Sequence, residues 1–95
     1  MKLFLVHCGF YDEKIGDGLY ESHMNFFVAA NDFVEARAQV KKIPEFQKNK
    51  MHVDGMQVIE AVTGFKIELN YDPSLNDQSI IPIHKHRDFA AKPAN

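Results

Sequence analysis

Apolar residues recur along this chain with different periods, and each change of period marks a new element. Residues 2–10 (KLFLVHCGF) are apolar at odd and even positions alike through Leu3, Phe4, Leu5 and Val6. A strand apolar on both faces is ordinarily central and covered from both sides. The polar stretch 11–18 follows, and its Gly16-Asp17-Gly18 is a strong turn signal. Residues 19–30 then alternate. Tyr20, Met24, Phe26 and Val28 share the parity suited to a core, while Glu21, His23 and Asn25 share the other.

At 32–43 the period becomes helical. Asp32 stands where an N-cap belongs, with Glu35 three residues on to complete a capping box. Phe33, Ala36, Val40 and Ile43 form one apolar stripe. Lys41 and Lys42 suit the negative end of the helix dipole, and Pro44 ends the run. Residues 45–55 read as a lysine-containing connection ending in Asp54-Gly55. Residues 56–62 and 65–71 flank Thr63-Gly64 as a hairpin. Phe65, Ile67, Leu69 and Tyr71 alternate with polar residues, which predicts a half-buried strand.

Beyond Asp72 the pattern weakens. Asp72-Pro73-Ser74 and Asn76-Asp77 are turn signals. Residues 79–83 have the character of a short edge strand, since Pro82 forbids a central position. Residues 90–95 should fray.

The expected fold is therefore α+β: a ββαββ domain over 1–71 and a C-terminal extension over 72–95. In this picture one helix packs on a mainly antiparallel four-stranded sheet, as a β-grasp-like roll. Two hairpins flanking the helix are the alternative. One helix about 10 Å across cannot cover four strands spanning roughly 15 Å, and it leaves the other face bare. A homodimer across the open face would resolve this.

Composition narrows the function classes. With 95 residues the chain makes one domain and buries only about 60–65% of its unfolded surface, leaving little apolar area for a deep pocket. Eight Phe and three Tyr supply enough buriable area to argue against disorder. A net charge of −2 argues against nucleic-acid binding, which wants a basic stripe. The lone Cys8 allows no internal disulfide, so a reducing, cytoplasmic setting is expected. Residues 2–10 are too few to span a membrane. There is no Walker loop, Rossmann glycine pattern, zinc cysteine pair or Gly-x-Ser-x-Gly elbow, so no cofactor is expected and no small-molecule ligand is identified.

The candidate chemistry lies in two short pairs. Glu21 and His23 are two apart on a predicted strand and point the same way. His52 and Asp54 have the same spacing in an extended segment, so the pairs converge if their strands are neighbours. The plainest reading is a hydrogen-bonded polar brace. The sharper ones are a divalent metal site with two nitrogens and two oxygens, or an acid–base site. Cys8 and His7 are adjacent and face opposite sides, so Cys8 would need His23 or His52 as a base. A strand cysteine more commonly serves as a small buried hydrophobe. Lys41, Lys42, Lys48 and Lys50 offer an anion-binding group, although such runs are usually solvated surface. His84-Lys85-His86-Arg87 has the look of a tail.

The segments HCGF, LYESHMNFFVAA, MHVDG and VTGFKIEL together resemble a small bacterial domain-of-unknown-function family. Its members open with a strand ending near glycines and continue with Glu-Leu-His leading into Phe-Val-Val. After a helix come a Leu-His-Ile-Asp segment and a Gly-Tyr turn. Glu21 and His23 fall on the first motif, His52 and Asp54 on the second, and Gly64-Phe65 on the turn. Ser22 and Met51 stand where leucines are usual, and one glycine rather than two follows Cys8. The resemblance covers residues 1–71. It implies the architecture and the polar quartet, not an activity. Because members carry one or two copies, it also implies that a single-copy chain pairs with itself. The leading functional expectation is a small non-enzymatic binding or interaction module acting as a homodimer. The alternative is a metal-dependent or acid–base enzyme built on the quartet.

Overall fold

A computed structural model describes residues 1–75 and 79–89 of the chain. The elements are β1 (Lys2–Tyr11), β2 (Glu21–Ala30), α1 (Phe33–Val40), α2 (Pro44–Lys48), β3 (His52–Ile59), β4 (Ala61–Val62) and β5 (Phe65–Lys66). The class is α+β, as the periodicity predicts. The main sheet has three strands in the order β2-β1-β3, all antiparallel, and β4-β5 form a separate two-stranded ladder.

β1 is central, as its two apolar parities require, but its fully buried side chains all lie on the even face, with Leu3 and Leu5 of the odd face half-buried. Phe4, Val6 and Cys8 are buried on the even face, and His7 on the odd face is exposed. Phe26 and Val28 of β2, and Val53, Met56 and Val58 of β3, pack against that even face. Ala36 and Val40 of α1, with Ala30 and the buried Phe46 and Met51, complete the core. Phe33 stays half exposed but sets its ring edge-on against Phe4, with centroids 5.1 Å apart.

The helix starts where Asp32 predicts. Its side chain accepts the Glu35 backbone N–H at 2.8 Å. The Glu35 carboxylate takes a hydrogen bond from Asn31 Nδ2 at 2.9 Å. The predicted 32–43 helix is divided. α1 ends at Val40, and Pro44 opens a second short helix, because proline's fixed φ and missing N–H suit the first helical turn. The supposed connection thus contains α2 and its core residue Phe46. α2 ends in a Schellman motif. Met51 N–H donates to Phe46 O at 3.0 Å and Lys50 N–H to Gln47 O at 3.2 Å, with Lys50 at φ 49°. Burial of Phe46 and Met51 is the apolar contact that accompanies this motif, and it delivers the chain to β3 at His52.

Among the described residues the strands form a three-stranded sheet and a separate two-stranded ladder in place of the expected four-stranded sheet. The hairpin turn is present, with Thr63 at φ 49° and Gly64 at φ 86°, the left-handed pair that two-residue hairpins favour. However, it joins only two-residue strands. Phe65 is 74% and Tyr71 83% exposed, and only Ile67 of the predicted apolar face is half-buried. Alternation encodes one apolar face; among the described residues Ile67 and Leu69 border only the Met1 and Leu3 end of the main sheet and do not pair with it. Residues 79–83 carry no strand, and His86–Phe89 make a 3-10 turn. Asp72 does form a turn, accepting from the Ser74 N–H and Oγ–H. Asn76-Asp77 and the terminal 90–95 lie outside the described residues. Among the described residues no helix is long and apolar enough to cross a membrane.

Candidate metal centre

The open odd face of β1 carries Leu3, Leu5, His7, Gly9 and Tyr11 in sequence. Each has a partner directly across on β2: Ala29, Phe27, Asn25, His23 and Glu21. One end of this face is therefore apolar and the other polar. On the far side, Gly9 is opposite His52 of β3. β2 and β3 are not neighbours, contrary to the simplest expectation. They flank β1, roughly 10 Å apart, and their side chains meet above it because residue 9 has none.

β3 holds a second device. Its register against β1 shifts by one residue between His7 and Cys8, so that Gly55 opposes His7, Val53 opposes Cys8, and Asp54 is left over. This bulge reverses the parity of the strand. His52 and Asp54 can then face outward while Met56 and Val58 still face the core.

The quartet closes into a ring. His23 Nε2 lies 2.8 Å from Glu21 Oε1 and 3.2 Å from Asp54 Oδ2. His52 Nε2 lies 3.3 Å from Glu21 Oε1 and 3.1 Å from Asp54 Oδ1. Each imidazole nitrogen has one in-plane proton or one lone pair, yet it faces two carboxylate oxygens. The imidazoles supply at most two protons to these four contacts. Four donors around a tetrahedral ion at about 2.0–2.1 Å would be about 3.3 Å apart; the four nitrogen–oxygen contacts are near that spacing, with Asp54 turning a different oxygen to each imidazole. A methyl group placed on Gly9 would collide with Glu21 Oε1, and would lie 2.6 Å from Asp54 Oδ2 and 2.7 Å from His52 Nε2. Glu21, His52 and Asp54 thus close over the space that an alanine side chain would fill.

The neighbours of the ring orient it. Tyr11 O–H donates to Glu21 Oε2 at 3.1 Å. His7 Nδ1 donates to Asn25 Oδ1 at 2.6 Å, and the His7 ring stacks on His23 with centroids 4.7 Å apart and planes 9° from parallel. His7, His23 and Asp54 also present ligand atoms within 4.8 Å of one another. An imidazole lone pair lies in its ring plane, and two nearly parallel stacked planes share no nearby point. His7 and His23 as arranged therefore cannot bind one ion together, which leaves Glu21, His52 and Asp54, whose ligand atoms lie within 4.8 Å of one another, with His23 in contact with Glu21 and Asp54.

The Glu21 carboxyl is held below its ordinary range, first by a hydrogen bond shared with Asp54, then by Tyr11 and the imidazoles. Tyr11 is pushed up, chiefly because its O–H serves that carboxylate. Between 29% and 46% of each quartet side chain is exposed, and no polar or charged residue is buried among those described. The cluster is thus exposed rather than buried, and its contacts join β2 to the start of β3 as a polar brace would. It is an open, convergent set of two imidazoles and two carboxylates, a donor set suited to zinc and its divalent neighbours.

The other candidates stand apart from this site. Cys8 is fully buried beneath the opposite face, and burial pushes its thiol up. Lys41 and Lys42 follow α1, Lys48 ends α2, and Lys50 occupies the left-handed position of the Schellman motif. All four are exposed, and none joins an ion pair among the described residues. Gly9, Tyr11, His7 and Asn25 escape a reading of the sequence by pairs. The available signal was a lone glycine inside an apolar strand, which often marks a close approach. No protein-family model, curated protein or solved structure matches the chain.

Proposed function

We propose that this domain is a small non-enzymatic binding module that holds one divalent transition-metal ion through Glu21, His23, His52 and Asp54. The observation that carries this reading is the closed ring of four nitrogen–oxygen contacts over Gly9. Two carboxylates and two neutral imidazoles also balance a divalent charge. The ion ties β2 to β3 across β1, so binding stabilises the sheet.

Elemental analysis, together with melting in zinc and in chelator, tests the proposal. At a zinc concentration about a hundred times Kd, linkage adds about 2.7 kcal/mol, or roughly 10–20 °C in Tm for a domain of this size. Absence of bound metal together with an unchanged Tm ends the reading.

A second reading is self-association through the apolar end of the open sheet face. It is favoured by Phe27, which is 47% exposed beside the half-buried Leu3 and Leu5. Light scattering at micromolar concentration tests it, and a strictly monomeric protein removes it.

A further inference from the structure

The two oxygens of Glu21 are treated differently. Oε1 faces both imidazoles, at 2.8 Å from His23 Nε2 and 3.3 Å from His52 Nε2. Oε2 accepts the Tyr11 O–H at 3.1 Å. The pairing is fixed by the sheet, because Tyr11 and Glu21 are direct cross-strand partners at the last rung of the β1–β2 ladder. The Tyr11 ring also stands beside His52, with centroids 6.5 Å apart, and so closes that side of the quartet.

We propose that Tyr11 is the specificity-determining residue of the metal centre: its hydroxyl holds Glu21 Oε2 away from the ion, so that Glu21 binds through Oε1 alone. This rests on the quartet being a metal site. A carboxylate free to use both oxygens adds a ligand and favours larger, oxygen-preferring ions of higher coordination number. Limiting Glu21 to one oxygen takes one ligand out of the protein set, which is then two nitrogens and two oxygens when Asp54, whose Oδ2 faces His23 and Oδ1 faces His52, binds through one oxygen as well. That set suits four-coordinate zinc and cobalt and disfavours manganese. Tyr11 does not touch the ion. It is a positioning residue, and its removal shifts selectivity and coordination geometry before it abolishes binding.

The test uses the full chain, wild type and Tyr11→Phe, loaded with cobalt(II), and compares zinc with manganese binding by competition. Tyr11 is 56% exposed, so the variant keeps its packing, which circular dichroism checks. The wild type is expected to give the strong visible absorption of four-coordinate cobalt. Tyr11→Phe is expected to give the weaker bands of higher coordination. The preference for zinc over manganese is expected to fall about tenfold, the scale of one hydrogen bond. Equal spectra and equal selectivity in the two proteins overturn the role of Tyr11 while leaving the metal site intact. Weak bands in the wild type, or complete loss of binding in the variant, also overturn it. A wild type that takes up no cobalt overturns the metal site itself.

Discussion

Gly9 lies directly beneath the carboxylate of Glu21, so that a methyl group on the glycine would occupy the place where Glu21 Oε1 and its neighbours converge. The backbone at Gly9 does not adopt a positive φ. Alanine is therefore conformationally acceptable there, and its effect is steric. This separates loss of the site from loss of the fold.

Truncating one member of the quartet distinguishes an open site from a structural brace. His23 has 42% of its side chain exposed. Without metal, His23→Ala should change stability by less than about 0.5 kcal/mol, whereas breaking a buried brace would cost about 1–3 kcal/mol. Urea denaturation in chelator measures the difference. In zinc the same variant should lose the metal-dependent rise in Tm.

Phe46 anchors α2 to the core at 8% exposure. Phe46→Ala should cost about 3–5 kcal/mol, a large part of the stability of so small a domain. Equilibrium urea unfolding reads this directly. A loss below about 1 kcal/mol would mean that α2 does not hold the start of β3 in place.

Lys50 sits in a left-handed conformation that disfavours side chains. Lys50→Gly should stabilise the domain by about 0.5–1 kcal/mol, with the added flexibility of the unfolded chain offsetting part of the relief. If Lys50 instead contributed to anion binding, the variant would weaken phosphate binding, which is not expected.

Burial raises the Cys8 thiol above its ordinary value, with a smaller push from Asp54. Between the unfolded value of about 8.5 and the higher folded one, the native state keeps a proton that the unfolded chain has released. This contribution to stability is complete below the unfolded value and is lost as pH rises through the folded one. Thiol labelling of the native protein should accordingly be slow at neutral pH and should accelerate on unfolding.

Much of this architecture was legible in the chain. The double apolar parity of residues 2–10 marked β1 as central, and Asp32 marked the start of α1. The two spacings of two, Glu21–His23 and His52–Asp54, marked the polar pairs. What local patterns could not convey was relation across space. The bulge at Asp54 is written only in the uneven steps between Val53, Met56 and Val58, and it becomes meaningful once β1 supplies the register. Pro44 ends one helical run and begins another, since the same ring that blocks a helix interior suits a helix start. The alternation of residues 65–71 promised a fourth strand in the sheet, but such a pattern specifies a face and not its partner.

The central claim is that the quartet and the space over Gly9 form one ion site, and calorimetric titration of the chelator-stripped chain with zinc tests it most directly, comparing wild type with Gly9→Ala. One ion per wild-type chain is predicted, with affinity reduced by about a hundredfold or more in a Gly9→Ala protein that remains folded. Equal affinity in the two proteins, or no binding by the wild type, would contradict the account.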